Sequence, residues 1–129
     1  MAEVKDVKGV GGSFSNEVLI SRVIWDFSVD GGAIGTLKLL KAADKIAVRL
    51  LGVRVHTAVT SAGALTMNVG EANGDSMISG WAKADISVDA IKQGAAPVLL
   101  DANEYVGMSI LAATATAGKL EFVFEVIRM

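Results

Sequence analysis

The sequence predicts an all-β domain, an antiparallel β-sandwich of jelly-roll-like type, preceded by a flexible N-terminal arm. Three observations carry that expectation. Apolar and polar residues alternate with a period of two through most of the chain, Gly- and Ala-rich turns interrupt the alternation at close spacing, and no stretch sustains a helical period. A series of roughly seven to nine short strands of this kind closes as a sandwich, or as an up-and-down barrel. With 129 residues the chain can bury one core but not two.

The elements follow in order. Residues 1–16 hold Gly9, Gly11 and Gly12 and no sustained period, so they read as an arm and residues 17–129 as the single folded domain. The arm's few apolar residues, Val4, Val7, Val10 and Phe14, are too sparse to offset its ordering entropy alone and are expected to make contacts only on a partner. From Glu17 the segment EVLISRVIWDFSV alternates. Leu19, Val23, Trp25, Phe27 and Val29 share the core-facing side, while Val18, Ile20 and Ile24 stand on the other beside Arg22 and Asp26. A strand that is apolar on both faces implies a second burial, so Val18, Ile20 and Ile24 are expected between subunits.

Residues 30–32 are a turn, and AIGTLKLL the second strand. Between Lys45 and Val59 the period slips by one residue beside Gly52, as at a β-bulge or at a bend that carries a strand into another sheet. Residues 60–63 read as a hairpin loop, which places His56, the one histidine, on a polar strand face. EANGDS is a polar turn and MISGW a short strand. DISVDAIKQG fits either a strand or one or two helical turns capped by Asp85 or Ser87. Pro97 opens VLL. Alternation returns from Tyr105 to Ala112 and again from Leu120 to Val126, where Glu121 and Glu125 share one face of a terminal strand expected at a sheet edge. Ala58, Ala62, Gly63, Leu65, Met67 and Val69 also echo Ala113, Ala117, Gly118, Leu120, Phe122 and Phe124 at a constant offset, as two related hairpins in opposite sheets would.

Composition and motifs narrow the function by exclusion. The formal net charge of −2 offers no basic footprint for nucleic acid. No run approaches the roughly 18 apolar residues of a membrane span, and no signal-peptide pattern precedes the domain. Zero cysteines removes disulfides, thiolate metal sites and thiol nucleophiles. His56 sits mid-strand without a nucleophile elbow, Glu121 and Glu125 are accounted for by solvation, and the Asp/Asn/Gly turns lack calcium-loop spacing. GVGG at residues 9–12 lacks the lysine of a phosphate loop. The expectation is therefore no enzyme, no cofactor and no metal site. Trp25 and Trp81 both read as core filling, Trp25 because it shares its face with Val23 and Phe27; the functional alternative is an interface anchor, and Trp81 is the candidate for it. A hydrophobic share of 52% is more than a solitary small domain needs and points to self-association.

The turn DGGAIGTLKLL, the strand-turn-strand VRVHTAVTSAGALTMNVG and the closing ANEYVGMSILAATATAGKLEFVFEVI resemble small β-rich virion proteins of tailed bacteriophages, of the capsid decoration or head-fibre type. The resemblance spans residues 26–128. It implies a non-enzymatic structural protein, commonly a homotrimer, made in the bacterial host cytoplasm and located in the virion, where it binds the major capsid protein or another virion protein and stabilises the head. A carbohydrate- or ligand-binding sandwich, receptor-binding or lectin-like, is the alternative; an exposed aromatic cluster would favour it.

Overall fold

The computed structural model describes residues 18–72, 74–94 and 96–129. These residues form nine strands and little else: β1 (Val18–Asp26), β2 (Gly35–Lys41), β3 (Ile46–Thr60), β4 (Thr66–Glu71), β5 (Ile78–Ala82), β6 (Ile91–Lys92), β7 (Val98–Leu100), β8 (Tyr105–Leu111) and β9 (Ala117–Arg128). They form two antiparallel sheets. The first runs β1-β9-β3-β6, with β7 also paired to β3, and the second β2-β8-β4-β5. The pairings nest: β1 with β9, β2 with β8, β3 with β6 and β7, β4 with β5. The chain is thus one long hairpin, rolled up until β9 also meets β3 and β8 meets β4. This order is jelly-roll-like.

Alternation places the core between the sheets. Trp25, Val48, Val53, Met67, Met108, Ile110, Leu120, Phe122 and Phe124 are among its fully buried side chains. Phe122 and Phe124, two apart on β9 and so on one face, lie with ring centroids 6.4 Å apart. Several readings need correction. Phe27 and Val29 do not continue β1, because the Asp26 carboxylate accepts from the Ser28 backbone N–H and starts a single helical turn, α1 (Phe27–Asp30). Gly31 ends it at φ +78°, a region that glycine enters without steric cost, and its carbonyl accepts from the Trp25 indole at 3.0 Å.

The slip beside Gly52 is a bulge, with the register to β9 shifting between Leu50 and Gly52. It does not move the strand to the other sheet, since β3 stays paired with β9 from Ile46 to Thr60. The loop at residues 60–63 is not a hairpin. It crosses from β3 in the first sheet to β4 in the second, and the loop between β8 and β9 crosses back beside it. The two arches touch: the Thr116 backbone N–H donates to the Thr60 carbonyl at 2.7 Å, and their hydroxyls lie 2.7 Å apart. The sequence echo marks these arches and the strands leaving them, β4 and β9, which do lie in opposite sheets.

Residues 83–92 hold neither of the two expected elements at length. A 3₁₀ turn (Lys83–Asp85) is followed by Ile86, which plugs the core, and by the two residues of β6. The segment instead hugs β3 through backbone bonds between Val55 and both Asp89 and Ala90.

Candidate interaction face

The outer face of the first sheet is the one surface where long apolar side chains gather among the described residues, and strand register sets them in rows. Val18 lies opposite Ile127, Ile127 opposite Ala47, and Ala47 opposite Leu99. That row is apolar from edge to edge. In the next, Ile20 lies beside Glu125, whose carboxylate accepts from Arg49 at 3.0 Å. Arg22 follows beside Val123, then Ile24 beside Glu121, Arg54 and Ile91. Val18, Ile20 and Ile24 are 54%, 54% and 50% exposed, and Leu99 and Ile91 are exposed as well. A depression of ≈ 330 Å³ lined by Ala47, Arg49, Pro97, Glu125 and Ile127 makes this end of the face concave.

The charged residues of the face partner one another. Arg22 donates to Glu121 Oε2 at 3.0 Å, and His56 Nε2 lies 2.8 Å from Glu121 Oε1. A carboxylate only accepts, so Nε2 bears a proton and donates it. These contacts hold the Glu121 carboxyl below its ordinary range, first through the bond from His56 and then through that from Arg22. Arg54 meets Asp89 at 3.6 Å. Paired charges between aliphatic columns cost less to cover than free ones, because each ion keeps a partner when water leaves. The arrangement suits contact with another protein surface. Among the described residues, no group of three or more His, Asp or Glu side chains gathers to hold a metal ion.

Val18, Ile20 and Ile24 therefore share the outer face of β1, as their alternation implied. Trp81 does not belong with them. It lies opposite Met67 in the core at 4% exposure, because β5 turns that position inward. Val4, Val7, Val10 and Phe14 lie outside the described residues. Sequence reasoning missed Ala47, Leu99, Val123 and Ile127, and it took Glu121 and Glu125 for residues of a solvated edge. The terminal strand is in fact central, between β1 and β3. The signal was present in E-x-V-x-E-x-I, where aliphatic residues alternate with acids on the side away from the core. Both tryptophans are buried, so neither offers the exposed ring on which a sugar would stack.

No protein family profile and no curated protein matches the chain. Solved structures do. A chain in the "acidic stable" capsid structure of Helicobacter pylori bacteriophage KHP30 superposes with a TM-score of 0.60 at 11% identity, over 86% of this chain and 87% of that one. A chain of the cyanophage Pam1 capsid asymmetric unit does so with a TM-score of 0.58 at 19% identity, over 92% and 90%. The chain shares their fold. Near-equal coverage on both sides means that each neighbour is a chain of about this size, with the whole sandwich in common.

Proposed function

We propose that this protein is a non-enzymatic structural component of a tailed-phage virion, a decoration or cement protein that binds the head and stabilises it. The observation that supports this best is the end-to-end likeness to two phage capsid chains of matching size. The outer face of the first sheet supplies the physical means, with aliphatic rows, paired charges and a shallow concavity that remain uncovered in the single chain. Residues 1–16 are the second attachment element. In this reading a segment that orders only on its partner spans neighbouring capsid subunits while the sandwich stays rigid.

The test is made on particles. Peptide mass spectrometry of banded virions from a phage encoding this chain should find it in high copy, and its absence from intact virions would overturn the proposal. Heads stripped of it should regain heat resistance when the purified protein is added back. Protein lacking residues 1–16 should keep its melting transition yet bind the stripped heads at least about tenfold more weakly; undiminished binding would assign attachment to the sandwich alone.

A further inference from the structure

The four edges of the two sheets are not alike. At the edge of the second sheet β2 carries Lys38 and Lys41 and a register irregularity between Lys38 and Leu40, and at its far edge β5 is interrupted by Gly80 at φ +61°. The β6 and β7 side of the first sheet is only two or three residues long at each strand. Those are the devices that keep an edge from pairing with another chain. Among the described residues β1 shows neither the irregularity nor the shortness, and its one exposed cation, Arg22, is tied to Glu121 of the neighbouring strand. Its nine residues run in unbroken register with β9 and contain no proline, glycine or lysine. Where it extends past the cover of the second sheet, Val18, Leu19 and Ile20 are exposed together, at 54%, 44% and 54%, on both faces of the strand.

We propose that β1 pairs with β1 of a second copy of this chain, antiparallel, with the two-fold axis at Ser21. In that register Val18 faces Ile24 of the other copy, Leu19 faces Val23, Ile20 faces the stem of Arg22, and the two small Ser21 side chains meet on the axis. Moving the axis to Arg22 stacks two guanidiniums on each other. Moving it to Ile20 sets Val18 against a charge. The Ser21 register sets Val18 on Ile24 and Leu19 on Val23 in both copies, lays Ile20 along the aliphatic stem of Arg22, and keeps both cores on the same side of one sheet ordered β6-β3-β9-β1-β1-β9-β3-β6. The outward residues Val18, Ile20, Ile24 and Ile127 of both copies then form one continuous belt. The assembly is a dimer, in place of the trimer that the resemblance implies. It deepens the virion reading without depending on it, because the test below uses the purified protein alone.

Sedimentation of the full chain should show a concentration-dependent dimer, and a monomer at the highest concentrations or a trimer would overturn the pairing. The chain has no cysteine, so a single introduced thiol reports the axis. Directly opposed residues in antiparallel strands lie about 4.5–5.5 Å apart at Cα, within the span of a disulfide. Ser21→Cys should oxidise rapidly to a covalent dimer. Ile24→Cys should not, because its two copies would stand roughly 20 Å apart along the strands. Equal cross-linking by both variants, or none by folded Ser21→Cys protein, overturns the register. Charge sign is the second reading. Ile20→Lys stands opposite Glu125 in its own copy, so the fold tolerates it, but it meets Arg22 of the other copy and should raise the dimer dissociation constant about tenfold above that of Ile20→Glu. Equal loss with either charge, or greater loss with Glu, sinks the edge pairing.

Discussion

On the outer face of the first sheet Val18, Ile20, Ile24, Val123, Ile127 and Leu99 stand among charged pairs; on the outer face of the second, Thr36, Asn68, Gly70, Gly107 and Ser109 stand with Lys38, Tyr105 and a single exposed leucine, Leu111. Both sheets obey the same two-residue pleat. The second sheet satisfies its outward groups from within. The Thr36 and Ser109 hydroxyls lie 2.8 Å apart, Asn68 accepts from the Gly80 backbone N–H at 2.7 Å, and Ser109 is only 3% exposed. Its small residues let Ala72, Asp75 and Ser76 come down onto the sheet, where a Cβ on Gly107 would come within 2.8 Å of the Ala72 carbonyl oxygen and one on Gly70 within 2.5 Å of the Ser76 backbone nitrogen. The first sheet has no such cover from its own chain among the described residues. Folding covers one face and leaves the aliphatic residues of the other exposed.

That contrast can be attacked from either side. Gly107→Val should lift Ala72 off the covered face and cost about 3 kcal/mol in chemical denaturation, since the clash is with backbone as well as with Thr36. On the exposed face the expected pattern is the reverse. Ile127→Lys should move stability by less than about 0.5 kcal/mol and yet weaken head binding about tenfold or more, measured by co-sedimentation. An equal effect of both changes on stability and on binding would erase the distinction.

Smaller effects come from the charge ladder. Glu121→Gln should lower stability slightly at neutral pH. Because the carboxyl is held below its ordinary value near 4.5, its contribution is complete above that pH and fades as the pH falls through the lowered value. The gap between wild type and variant should therefore close in acid, whereas a gap constant down to acid pH would mean that the bonds from His56 and Arg22 contribute nothing. His56→Ala, which removes one of the two bonds to Glu121, should change stability by less than about 1 kcal/mol and leave the melting transition cooperative.

Much of the sandwich is legible because the pleat writes itself into the sequence. Phe122, Phe124 and Val126, or Val106, Met108 and Ile110, announce a buried face by alternation alone, and the bulge at Gly52 shows as a slip of one. Alternation does not say which strand comes next to which. A-G turns look the same in a hairpin and in an arch between sheets, so residues 60–63 read as the wrong one of the two. The same blindness puts β9 at an edge and hides the pairing of Glu121 with His56, which are brought together by strands far apart in the chain. Trp81 is misplaced because one tryptophan in a short strand carries no phase of its own. On β1, by contrast, apolar residues on both sides of one strand are a signal that needs no neighbour to interpret.

The nested strand order has a kinetic consequence. β1 is made first among the described strands and is paired with β9, made last, with Val18 opposite Ile127. Between those events the ribosome must deliver nearly the whole domain. The first sheet, with its long β3 waiting for the same partner, cannot close before β9 has been made, and it then assembles through contacts of high sequence separation that form slowly. For that interval β1 is an unpaired, aliphatic strand in a crowded cell. A slow refolding phase set by the docking of β9, and lengthened by substitutions in β9 more than by those in the β4–β5 hairpin, is the expected trace of that order.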